Sequence, residues 1–149
     1  MNIDKSYMGC FGRMKMHIKP TAIVIHHTCT SSPKRTREAL KKKNCSTHFE
    51  VDVEVDVDGT VYQYREEDLM CSHCGSSNCH TIGIDVTHLD GAEFPDVQIQ
   101  ALKQLVEYLC TKWNIPQVVH EQLSGIYPHR ALGSTRCPGN LPMELLNAE

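Results

Sequence analysis

The run TAIVIHH, Thr21 to His27, constrains the fold more than any other stretch of the chain. Ala, Ile, Val and Ile follow one another without a polar break, the pattern of a strand buried in a sheet. The run then ends in two histidines. TIGIDVTH, Thr81 to His88, returns to strand. Between the two, SSPKRTREALKKKN offers Ser32 as N-cap, Pro33 at the first helical position and good helix formers to Lys43. THFEVDVEVDVDGTVYQY alternates apolar and acidic residues, with Phe49, Val51, Val53, Val55 and Val57 on one face and a turn at Asp58-Gly59. It predicts a hairpin with one wet, acidic face. In FPDVQIQALKQLVEYLCTKWNI, Ile99, Leu102, Leu105, Val106, Leu109 and Trp113 recur at three- and four-residue spacing, giving an amphipathic helix of roughly five turns. A brief strand, Val118 to His120, precedes a loop-rich tail. Strands and helices alternate in part, so the expected fold is α/β, one domain with a mixed central sheet flanked by helices.

A chain of 149 residues is one domain by size and buries a core without staples. Residues 1–20 read as an N-terminal extension and 21–149 as the domain. Fifteen Lys and Arg against eighteen Asp and Glu leave no global signal for nucleic acid or an anionic membrane. No apolar run approaches a membrane span, and the N-terminal stretch lacks the apolar core of a secretion signal, so cytoplasmic synthesis is expected. The eight cysteines are therefore read as metal ligands or buried thiols before disulfides.

HRALGSTRCPG, His129 to Gly139, places a histidine and a cysteine eight residues apart in a Gly-Ser-Thr loop. Positions i and i+8 stand about 80° apart on a helix, so one helix face does not explain the pair. A metal does, given a third ligand from elsewhere. Catalytic zinc takes three protein ligands and leaves a fourth position open. His26, at the end of a buried strand, supplies the third. His120 also ends a strand and is the rival to His129.

These residues carry a resemblance. IVIHHT, the hairpin HF...DGTVYQ, H-x6-N-x2-IGID and HR-x6-CPG follow in order the pattern of the type 2 N-acetylmuramoyl-L-alanine amidases, the family of phage lysozyme-type amidases and peptidoglycan recognition proteins. The resemblance runs from Ala22 to Leu141. It implies a zinc-dependent hydrolase that cuts the amide between the lactyl group of muramic acid and L-Ala of peptidoglycan. By position, His26, His129 and Cys137 would hold the zinc. Asp85, ending the IGI strand, would be general base and acid where relatives use Glu. Thr135 stands where some relatives carry a lysine facing the oxyanion, and its hydroxyl would donate there without charge. Thr47 replaces the catalytic tyrosine of recognition-type amidases. Thr47, His27 and the loop histidine His73 are expected on the substrate-binding surface or in support of it.

The loop around His73 departs from the family. Cys71, Cys74 and Cys79, with His80, have spacing compatible with a second, structural zinc. The basic segment from Lys34 to Lys43 reads as a solvated face, with attraction to anionic wall polymers as its functional alternative. A phage endolysin, a monomer reaching the wall on release and lysing the host cell, fits these features. The alternatives are a cytosolic amidase recycling wall fragments, a peptidoglycan-binding protein without catalysis, and a nucleic-acid zinc finger, the last disfavoured by the net acidity.

Overall fold

A computed structural model describes residues 1–12, 14–53, 60–120 and 124–149. Its centre is β2 (Ala22–His27), whose residues Ala22 to His26 are all buried. A strand apolar on both faces needs cover on both, and it has neighbours on both edges as well. β5 (Thr81–Val86) runs parallel on one side and β6 (Gly125–Pro128) parallel on the other. β3 (Phe49–Val51) continues the sheet beyond β5, β4 (Thr60–Gln63) pairs antiparallel with β3, and β1 (Asn2–Asp4) lies parallel against β4 at the edge. The order among the described residues is β1-β4-β3-β5-β2-β6, a mixed sheet as expected. The first residues, read as an extension, thus contribute an edge strand to it.

Side-chain alternation divides the sheet into two chemistries. Ile23, Ile25, Phe49, Val51, Ile82, Ile84, Val86 and Ile126 face α2 (Asp96–Trp113) and form the core with its Leu102, Leu105, Val106 and Leu109. Burial of each such side chain contributes about 1.5–3 kcal/mol. The opposite face carries His26, His48, Glu50, Thr81, Gly83 and Asp85. α1 (Pro33–Lys43) borders this side; it starts at Ser32, whose hydroxyl accepts from the Arg35 N–H at 3.3 Å, and ends at Asn44 in the left-handed region. Lys41, Lys42 and Lys43 occupy its last turn, where the helix dipole favours cations.

The hairpin differs from expectation at Glu50. Rather than facing water, its side chain is fully buried. β3 is an interior strand, and α1 closes over that face, bringing Thr36 and Arg37 to Glu50. Thr87 Oγ1 donates to its carboxylate at 2.6 Å and the Tyr64 hydroxyl donates to the other oxygen. The expected Val55 and Val57 positions and the Asp58-Gly59 turn lie outside the described residues.

Candidate metal centre

The C-terminal ends of the central parallel strands meet at one point. In the register of β3, β5 and β2, Glu50 stands beside Asp85 and Asp85 beside His26, a row of three polar residues across adjacent strands. β6 ends at Pro128, and a short 3-10 turn, His129–Ala131, begins where its last residue pairs near Ile25. This delivers the His129 ring to His26, with the two Nδ1 atoms 3.1 Å apart. The loop that follows folds back so that the Arg130 N–H donates to the Cys137 carbonyl at 2.8 Å, and the His27 N–H donates to Cys137 Sγ at 3.3 Å. His26, His129 and Cys137 then offer three ligand atoms within 4.8 Å of one another. It is the group of this kind found among the described residues.

The donor set fits zinc. Two imidazole nitrogens and a thiol are the borderline-to-soft ligands it prefers, and two nitrogens on one tetrahedral ion at about 2.0–2.1 Å would stand about 3.3 Å apart. Burial, reinforced by the neighbouring rings, holds His26 well below the ordinary histidine range, and burial also lowers His129. Both rings are thus neutral with lone pairs to give. Burial pushes the Cys137 thiol up to about 12, so a cation is what would make it a thiolate at neutral pH.

Asp85 is 6% exposed, and burial, followed by the Glu50 carboxylate, raises it to about 8. Thr47 Oγ1 donates to Asp85 Oδ2 at 2.9 Å and partly opposes the shift. A carboxyl poised near neutral pH beside three metal-ligand atoms is suited to taking and returning a proton. Both groups line a cavity of about 330 Å³ that also has Thr135 and Lys43 on its walls. The Thr135 oxygen accepts from the Cys137 N–H at 3.1 Å, which leaves its own proton for the cavity. Arg136 instead reaches toward Asp90, at 3.9 Å.

The remaining candidates are dispersed. His27 lies on the other face of β2, its Nε2 3.3 Å from both Asp90 Oδ1 and Cys29 Sγ. His120 lies beside Gly125, at the opposite end of β6 from His129. His73 is not open to the cavity by its nitrogens, which meet His26 Nε2 at 2.9 Å and Thr81 Oγ1 at 3.1 Å. Cys71, Cys74, Cys79 and His80 form no ligand group. Cys71 is buried against Ser46 and Arg65, Cys74 contacts Thr81 at 3.4 Å, and Cys79 turns to the Ser76 carbonyl. Of these, only Cys79 and His80 lie in the 3-10 turn Gly75–His80, with Cys79 Sγ 3.6 Å from His80 Nδ1.

Three participants were not legible as site residues: Glu50, His48 and Gly83. Gly83 carried a signal, since an isolated glycine inside a strand marks close approach of another group.

The N-acetylmuramoyl-L-alanine amidase family model matches residues 16–140, and the chain belongs to that family. No curated protein sequence matches it significantly. Among solved structures it is similar to the N-acetylmuramoyl-L-alanine amidase LysC from Clostridium intestinale URNW, at 25% identity and a TM-score of 0.80, over 98% of this chain and 95% of that one. The endolysin amidase LysCS from the same organism gives 25% identity and 0.80, over 97% and 92%. A mutant endolysin from Bacillus subtilis, at 21% identity and 0.72 over 93% and 90%, shares the fold. Family membership makes the chain an amidase acting on peptidoglycan. Among the described residues no helix is long and apolar enough to cross a membrane.

Proposed function

We propose that the chain is a zinc-dependent endolysin that hydrolyses the amide between the lactyl group of muramic acid and L-Ala, with His26, His129 and Cys137 holding the ion. The convergence of those three ligand atoms, beside a buried carboxyl raised to about 8, is the observation that carries the reading. Zinc there would polarise the scissile carbonyl and acidify the attacking water. Asp85 would take the proton of that water and pass it to the leaving L-Ala amine, the role its position beside His26 supports. Thr47 holds Asp85 Oδ2, orienting the carboxyl. Thr135 has a hydroxyl proton free to donate to the carbonyl oxygen as it gains charge. His27 and Lys43, which also line the cavity, remain for substrate.

Metal analysis of the purified protein tests the ligand set. One zinc per chain is expected, lost with the activity in His26→Ala, His129→Ala and Cys137→Ser and kept in His120→Ala. A His129→Ala protein that retains both, while His120→Ala loses both, would move the ligand to the other end of β6.

A further inference from the structure

The three cysteines of the segment from Met70 to His80 assemble no ligand group among the described residues. The loop is nonetheless closely tied down around one residue. Asn78 Oδ1 accepts from the backbone N–H of both His73 and Cys74, at 3.1 and 2.8 Å. The His73 ring lies over Gly83, where an added Cβ would come within 2.6 Å of Nδ1. Its edges meet the rings of His26 and His48, with centroids 5.1 and 5.9 Å away.

We infer that His73 is a positioning residue that fixes the tautomer of His26, so that Nδ1 rather than Nε2 presents its lone pair to the metal. The inference rests on the metal reading above. Its proton assignments start from a group that only accepts. The Ser77 carbonyl takes the Thr81 hydroxyl proton at 2.8 Å, so Thr81 Oγ1 is left to accept from His73 Nε2–H at 3.1 Å. A neutral imidazole has one proton, so His73 Nδ1 is an acceptor. His26 Nε2, 2.9 Å away, must then be the donor. The one proton of His26 is thereby placed on the side away from His129, and its bare Nδ1 faces His129 Nδ1. Partners of this kind set ring orientation and ligand basicity at metal sites. In this chain that partner is a second imidazole, backed by a threonine and a carbonyl.

The test compares the full chain with its His73→Ala, His73→Gln and Gly83→Ala variants. Zinc affinity is measured by chelator competition, and the His26 tautomer by ¹⁵N shifts of the metal-free protein. The wild type should show His26 protonated at Nε2. His73→Ala should bind zinc roughly 10- to 100-fold more weakly and lose that single tautomer. Gln offers an oxygen to the same proton, so His73→Gln should recover most of the affinity. Gly83→Ala, which fills the seat of the ring while keeping the histidine, should fail as His73→Ala does. Equal affinity and an unchanged tautomer in His73→Ala, or a Gln variant as weak as the Ala variant, would overturn the inference. A wild type with the expected tautomer that binds no zinc would instead sink the metal reading.

Discussion

Asp85 is the residue on which turnover should depend most. Asp85→Asn keeps the shape and the Thr47 hydroxyl as a partner but removes the base, so zinc content should survive while the rate falls roughly a hundredfold or more. Steady-state rates on purified walls, read beside metal analysis, check this. A near-normal rate with zinc intact would make the carboxyl structural. On the proposal above, Thr47 acts through Asp85, to which its hydroxyl donates. Its hydrogen bond favours the ionised carboxylate, so Thr47→Val should raise the Asp85 pKa and move the acid limb of the kcat/KM profile to higher pH. The loss at the optimum should be roughly ten- to a hundredfold, since one hydrogen bond to a charged group is worth about 1.5–3 kcal/mol and each tenfold in rate is about 1.4 kcal/mol. An acid limb that stays in place would remove Asp85 as the group that titrates.

At the scale of elements, parallel pairing of β2, β5 and β6 brings distant motifs together. His26 and His129 are 103 residues apart in the chain, yet each stands where a strand ends. That much was legible: the buried runs at Thr21 and Thr81, the long helix and the Ser32 cap all stand as read. Acidic alternation after Thr47 misled because it marks a wet face only on a strand with one covered side. Glu50 sits on an interior strand under α1, and what keeps it there, Thr87 and Tyr64, comes from residues far along the chain. Nothing local announces such partners. The cysteine spacing suggests a second zinc, but Cys71, Cys74 and Cys79 join no ligand group among the described residues. A preparation under reducing conditions should therefore contain one zinc per chain, unchanged in Cys71→Ser, Cys74→Ser and Cys79→Ser. Two zincs, one lost with Cys74, would contradict the observed loop.

The whole molecule should be sensitive to acid for a reason built into the sheet. His48 is fully buried; the Gly83 N–H donates to its Nδ1 at 2.9 Å and its Nε2 lies 2.7 Å from the Leu69 carbonyl. Burial depresses it to about 4. Unfolded, it would titrate near 6.5. A histidine with a depressed folded pKa contributes stability that is present above the unfolded value and lost as pH falls toward the folded one. Stability should therefore drop between pH 6.5 and 4, by roughly 3 kcal/mol from His48 alone. Urea unfolding across that range checks it, and His48→Gln should flatten the slope. The central claim, a lactyl-amide hydrolase run by one zinc, has a more direct test. Purified cell walls are digested with the native, the zinc-stripped and the zinc-reloaded protein, and the products are weighed by mass spectrometry. The account predicts stem peptides with free L-Ala amino termini and intact glycan from the native and reloaded protein, and none from the stripped one. Glycan fragments, cleavage within the stem, or equal release after stripping would contradict it.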